Sequence, residues 1–424
     1  MKEDLLHFIW RYQKFSPNNL KTTTGLALQV LSPGFLNEGV GPDFSNAKIQ
    51  MDELFWIGPV ELHVNASSWY QHAHHNDPKY DAVILHVVWN DDIDVCLSGG
   101  KALPTLCLSH YVDQQLLSRY QSQFSKNKKF IPCEKSLHRF EKNKWIFWKE
   151  RLYVERLEGK TTQIQARLKQ ATNNWDAVLF QLLAKGFGLN KNGITFLEMA
   201  QSIPFYVIQK CQHDVFLLEA LLFGQLGLLE EDKEGYHLQL KKEYEFLKLK
   251  FKLKKRITHP PTFGRLRPAN FPTVRIVQLA QLYHHQKRLF KKFMESESPK
   301  EASQYLKCST STFWNTHYTF HVKSKEVAKT SSHSFRELLL INVVIPLRFA
   351  YFKYKGKAHE MRLVEWANEI KAEQNSTMQS FKMLNLDIQT VFDSQSLLHL
   401  KKTYCNLQKC LRCSIGFHIM QKDS

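Results

Sequence analysis

The chain has no apolar run approaching the ~20 residues that a membrane span requires. Its first residues, Met1-Lys2-Glu3-Asp4, are acidic and lack the apolar stretch of a secretory signal. A Walker A loop, a GxGxxG turn and a GxSxG elbow are also missing. Nothing therefore points to P-loop, dinucleotide-binding or serine-hydrolase chemistry. No repeat of fixed period occurs, which argues against solenoids and propellers. The eight cysteines are scattered over 424 residues rather than packed into a framework. They read as reduced thiols, and the cytoplasm is the expected location.

Acidic residues thin out beyond position 115. Residues 1–115 hold 7 Lys/Arg and 13 Asp/Glu, a net of −6, whereas the remaining 309 hold 51 and 27, a net of +24. An acidic region is thus joined to a strongly basic one. A basic surface attracts polyanions through counterion release, and it also simply solvates a protein. The 43% apolar and 12% aromatic content is that of a globular chain, and the length suggests two or three domains.

Apolar spacing predicts a short helix over residues 3–14, with Leu6, Ile9 and Trp10 on one side. Leu26–Leu31 reads as a strand closed by Ser32-Pro33-Gly34. Phe44–Met51 and Phe55–Val64 alternate as the arms of a hairpin turning at Asp52-Glu53. Ala66–Tyr80 is polar and His-rich, a helix or long loop. Asp81–Trp89 and Leu103–Leu108 read as further strands. This order predicts an α/β domain with a mixed sheet over 1–115. Over 116–424 the period turns helical, so a basic, mostly helical region is expected, including Trp175–Lys185, Phe216–Leu229, Val274–Phe293, Ser334–Tyr351 and Ser394–Cys405. Ser296–Ser311 and Lys323–Ser334 read as polar loops.

The most specific chemistry lies in Gly41-Pro42-Asp43-Phe44 and Val60-Glu61-Leu62-His63-Val64. Glu61 and His63 alternate along a strand and share a face, and Asp43 opens the neighbouring strand. Two carboxylates and one basic group then converge, a layout suited to Mg²⁺ or Mn²⁺ and to water activation. Glu38 and Glu3 are spare carboxylates. His72 and His74, two residues apart, are further candidate metal ligands, which suit Zn²⁺, Mn²⁺ or Fe²⁺. His86, inside an apolar strand, reads as a core histidine, as does His75. Cys405, Cys410 and Cys413 form C-x₄-C-x₂-C, the greater part of a Zn²⁺ site whose fourth ligand would be His418 or His399. The same cysteines also suit a buried helical turn.

Lys241–Arg256 holds eight basic and two acidic residues. Lys248, Lys250, Lys252 and Lys254 alternate with Leu247, Leu249, Phe251 and Leu253, as on a strand with a lysine face, although the flanks suit a helix. Arg265, Arg267 and Arg275 follow, then Lys287, Arg288, Lys291 and Lys292. These are candidate contacts to nucleic acid phosphates.

Strings spread along the chain resemble an uncharacterised bacterial family, a domain of unknown function. They are GPDFSNAKI at 41–49, GPVELHVNASSWYQH at 58–72, YDAVILHVV at 80–88, EALLFGQLGLL at 219–229, RLRPANFPTVRIVQLAQL at 265–282 and YCNLQKCLRCSIG at 404–416. That resemblance implies one unit end to end and supplies no activity. A fainter one, carried by Pro42-Asp43 and Glu61-Leu62-His63 and confined to residues 1–110, is to the PD-(D/E)xK nuclease superfamily. It implies a helix, three strands, a helix and a further strand, with Asp43, Glu61 and His63 as catalytic positions. The usual Lys of its triplet is replaced by His63, which stands in for it only when protonated or else binds metal. Three readings stay open. The first is a metal-dependent nuclease-like phosphodiesterase. The second is a non-catalytic nucleic-acid-binding or assembly protein on the same scaffold. The third is a His/carboxylate metal hydrolase of a small substrate.

Overall fold

The computed structural model describes residues 1–421 apart from 38, 125–128, 232–233, 255–256 and 358–359. Glu38 lies outside the described residues. The chain divides into two units, residues 1–145 together with 400–424, and residues 146–399.

The first unit opens with helix α1 (Glu3–Arg11), which buries Leu5, Leu6, Phe8, Ile9 and Trp10. Glu3 and Asp4 in its first turn and Arg11 in its last complement the helix dipole. Six strands follow: β1 (Leu28–Ser32), β2 (Phe35–Leu36), β3 (Phe44–Met51), β4 (Leu54–Asn65), β5 (Leu85–Asn90) and β6 (Thr105–Cys107). They form one sheet in the order β1-β3-β4-β5-β6, with β2 also paired to β3. β1, β3 and β4 are antiparallel, whereas β4, β5 and β6 run parallel. This is the α/β mixed sheet that the sequence order implies. The crossover between β4 and β5 carries helix α2 (Ser68–Gln71) and two 3₁₀ turns, His74–Asn76 and Pro78–Tyr80.

Local chemistry sets these elements. β3 alternates buried Phe44, Ala47, Ile49 and Met51 with exposed neighbours, as a half-covered strand must. β5 is buried from Leu85 to Val88, as expected of a parallel strand covered on both faces. The β3–β4 hairpin turns at Asp52, which adopts φ 50° and accepts a hydrogen bond from the Ala27 N–H at 2.9 Å. A register shift between Phe44 and Ala47, with Asn46 at φ 55°, bends the start of β3 beside Asp43.

The second unit is mostly helical, as the sequence period predicts, and includes helices Trp175–Phe187, Leu189–Ser202, Val215–Gln225, Tyr236–Phe251 and Pro272–His285. Phe180, Phe187, Phe196, Phe223 and Trp314 are fully buried in its core. Asn174, Asp214, Ser298 and Ser332 each cap a helix by accepting from a backbone N–H. Three expectations change. Val274–Phe293 is two helices, because Arg288 takes a left-handed conformation at φ 54°. Ser296–Ser311 contains a capped helix, Pro299–Tyr305. The lysine alternation at 248–254 does not make a strand. The helix Tyr236–Phe251 runs through Lys248 and Lys250, because His237, Leu240, Tyr244 and Leu247 bury at helical spacing.

Gly34 offers a direct check on the turn that delivers β2. It has φ 83°, and a Cβ there would collide with the Ser45 carbonyl, whereas Gly25, at φ 90°, has open space around it. Gly25→Ala should cost about 1 kcal/mol of backbone strain, and Gly34→Ala should cost roughly 2–4 kcal/mol because a steric clash adds to it. Urea unfolding of the two variants measures the difference; equal costs would remove the close approach.

Candidate metal centre on the N-terminal sheet

Phe44 pairs with Val60, so Asp43 stands opposite Glu61 one step further along the antiparallel ladder. The two residues clasp each other. The Asp43 N–H donates to Glu61 Oε2 at 2.9 Å, and the Leu62 N–H donates to Asp43 Oδ2 at 3.0 Å. Glu61 and His63 share one face of β4, and the parallel register Glu61↔His86 brings His86 onto the same face from β5. The start of the crossover supplies His72 and His74, and α1 supplies Glu3 and His7, one turn apart.

Two groups of ligand atoms result. Nitrogens of His63, His72 and His74 lie within 4.8 Å of one another, as do ligand atoms of Glu3, His7 and Asp43. His74 Nε2 is 3.2 Å from Glu61 Oε1, and His7 Nε2 is 3.2 Å from Asp43 Oδ2. Both nitrogens are buried without a hydrogen bond. Two ligands bound ~2.1 Å from one ion stand about 3.0–3.4 Å apart, so both separations are those of neighbouring ligands. Orphaned imidazole nitrogens beside carboxylate oxygens fit a divalent cation.

His63 sits at the centre of an imidazole chain. Its Nδ1 is 2.9 Å from His86 Nε2 and its Nε2 is 3.1 Å from His72 Nδ1. A neutral ring has one N–H and one lone pair, so His63 donates to one neighbour and accepts from the other. Aromatic rings wall the site. Tyr80 stacks on His74 with centroids 3.8 Å apart, and Trp69 lies edge-on to His74 and tilted against His86, each at 5.4 Å.

Burial and crowding shape the charges. Burial, reinforced by the Asp43 charge, raises the Glu61 carboxyl to about 8. Burial lowers His63 to about 2, with His86, His72 and His74 adding to the effect. His86 falls to about 3 for the same first reason, with His74 next. Burial lowers His74 and raises Glu3 and Tyr80, the last to about 12. Burial thus favours the neutral form of His63 and disfavours the role of a charged Lys substitute.

The structure brings Asp43, Glu61, His63, His72 and His74 together. It adds His7, whose i+4 spacing from Glu3 was readable in sequence, and moves His86 from plain core residue to partner of His63. Cys405, Cys410 and Cys413 line one pocket. Neither expected fourth ligand joins that pocket's lining. His418 lies 3.7 Å from Glu141 with its ring against Phe140, and His399 lies 3.5 Å from Glu155. Cys133 lines it instead.

Of the basic candidates, Lys248, Lys250, Lys252, Lys254, Arg265 and Arg267 are exposed. Lys248 and Lys250 are two positions apart on a helix and so diverge rather than share one face. Arg275 is a correction. It is buried, hydrogen-bonded to Gln278 at 2.8 Å and Asn270 at 2.6 Å, with its guanidinium 3.6 Å from the Phe335 ring centroid. It packs the interior, where a phosphate backbone does not reach a side chain already held by Gln278, Asn270 and Phe335. Sequence reading missed a cleft of about 490 Å³ in the second unit, lined by Lys160, Arg167, Lys185 and Lys191 and, among the described residues, by no carboxylate. Its cations come from three consecutive helices, Lys142–Gln170, Trp175–Phe187 and Leu189–Ser202, and are spread over residues 160–191 rather than gathered in one charge run.

The chain belongs to the family described as "Protein of unknown function (DUF2851)", whose model matches residues 3–376. No curated protein and no solved structure matches it.

The shifted groups give stability a specific pH dependence. An unfolded chain protonates His63 and His86 at about 6.5, whereas the folded protein keeps them neutral down to about 2 and 3. Their contribution is present above pH 6.5 and is lost as pH falls. Glu61 has the opposite sign. It holds its proton in the folded state up to about 8 against 4.5 unfolded, so stability is lost as pH rises across that window. Melting of metal-free protein should therefore weaken from pH 7 to 5, and wild type should lose ground to Glu61→Gln from pH 6 to 9. A pH-independent gap between wild type and that variant would contradict the Glu61 environment.

Proposed function

We propose that the first unit is a divalent-metal-dependent phosphodiesterase acting on nucleic acid. The observation that carries this reading is the Asp43–Glu61 clasp flanked by orphaned nitrogens of His7 and His74. The element order supports it, since α1, the β3–β4 hairpin, the α2 crossover and parallel β5 follow the order implied by the nuclease resemblance.

Asp43 and Glu61 would hold the ion, with His74 beside Glu61 and His7 beside Asp43. The mixed carboxylate and imidazole set favours Mn²⁺ over Mg²⁺. Such an ion, when bound, lowers the pKa of water and neutralises charge on a phosphodiester. Glu61 must shed its proton to ligate, so affinity rises with pH toward about 8. His63 is too weak a base to take a proton near neutrality, so it orients, and His86 fixes its tautomer. Trp69 and Tyr80 exclude water from the imidazole side. The cationic cleft and the exposed lysines of the second unit would attract a polyanion.

A second reading has its own observation. The compact His63, His72 and His74 group suits Zn²⁺ in a hydrolase of small substrates.

Calorimetric titration and cleavage assays on single- and double-stranded DNA and RNA separate these readings. Mn²⁺ should bind and support cleavage. Asp43→Asn should weaken metal binding and lower cleavage by at least ~100-fold while leaving polyanion affinity intact. Converting Lys248, Lys250, Lys252 and Lys254 to Gln should weaken binding and flatten its salt dependence. Binding without cleavage at any metal would favour a scaffold role. No binding at low salt with Mn²⁺ present would leave the small-substrate hydrolase.

A further inference from the structure

The C-terminal cysteines sit on a tightly wound stretch. Cys405 ends a π-helical turn (Leu400–Cys405), Cys410 starts a 3₁₀ turn (Cys410–Arg412), and Cys413 precedes the helix Ser414–Gln421. Gly416 lets that helix lie on the Cys410 turn, since a Cβ there would collide with the Cys410 carbonyl. Cys133 arrives from elsewhere in the same unit, just before the 3₁₀ turn Glu134–Arg139. All four cysteines line one pocket, whose remaining walls include Phe124, Ile131, Leu400 and Ile415. Cys133, Cys410 and Cys413 are buried, Cys405 is half-buried, and none of the four is in a disulfide. Burial raises the Cys405 thiol, with Cys133, Cys413 and Cys410 adding to the effect.

Four thiols gathered in an apolar pocket are a soft-metal ligand set. Their spacing disfavours a single tetrahedral ion. A single Zn²⁺ with ~2.3 Å bonds draws its four sulfurs to about 3.8 Å from one another. Among the described residues, no three of these sulfurs fall within 4.8 Å of one another. A four-iron cluster sets its thiolates farther apart, because each binds a different iron atom. We propose that Cys133, Cys405, Cys410 and Cys413 ligate a four-iron, four-sulfur cluster. The cluster staples residues 400–424 onto the N-terminal unit after the chain has completed the whole of residues 146–399. This site is separate from the carboxylate centre and does not depend on how that centre works.

The test uses the full chain, purified without oxygen. About four iron and four acid-labile sulfide per chain are expected, with a broad visible absorption that dithionite bleaches. Cys133→Ser should lose the iron, whereas Cys96→Ser, outside the pocket, should keep it. The wild-type analysis decides even where Cys133→Ser fails to fold. One zinc per chain, or no metal with the four thiols alkylated in the folded protein, would overturn the cluster. Full iron retention in a folded Cys133→Ser protein would overturn its ligand set.

Discussion

The first unit turns on one exchange of hydrogen bonds. Asp43 gives its backbone N–H to the Glu61 carboxylate, and the peptide following Glu61 gives its N–H to the Asp43 carboxylate. Two acidic groups close together repel, and burial makes that repulsion costly. The clasp offsets part of the cost by tying each carboxylate to the other strand's backbone. What remains appears as the raised Glu61 proton affinity. The carboxylate pair is therefore held by strand pairing, which favours its precise placement. The nitrogens of His7 and His74, buried without a hydrogen bond, lie 3.2 Å from the Asp43 and Glu61 carboxylates.

The sheet was readable because its signal is local. Alternation marks β3 residue by residue, and it places Asp43 and Glu61 opposite each other at the open end of one hairpin. The same signal misleads at Lys248–Lys254, where alternate lysines mimic a strand. There the buried positions 237, 240, 244 and 247 decide for helix, because burying that stripe outweighs a charge pattern in solvent. His86 was legible only as a buried strand residue. Its approach to His63 depends on the parallel register between β4 and β5, which the crossover sets and no short window reveals. Cys133 is the extreme case. It stands far from its partners in sequence, so C-x₄-C-x₂-C looked one ligand short.

Helix α1 links the two ends of the chain. Its apolar face is buried, and Phe417 of the last helix packs against Tyr12 at 4.6 Å and Phe8 at 6.0 Å. Lys2 reaches Gln408 at 2.7 Å. The same helix carries Glu3 and His7 toward Asp43. The position of His7 is therefore set from two sides, by the sheet and by the C-terminal segment. A fastening at the cysteines would act on the carboxylate centre through α1 without touching it, by limiting how far the helix can shift.

The two proposed centres also sort their metals by chemistry. Carboxylates and imidazoles line the sheet face, and thiols line the apolar pocket. Hard divalent ions bind thiolates weakly, whereas iron–sulfur clusters require them. Each proposed site would thus disfavour the other's metal by donor type. Asp4 lies on α1 next to Glu3, and its charge bears on Cys410 and Tyr120 as well as on Glu3. Adjacent residues of a helix point about 100° apart, so consecutive acids serve different neighbourhoods. That geometry lets nine residues of α1 contribute to a polar centre on one side and pack near the Cys410–Arg412 turn on another while their apolar positions fill the core.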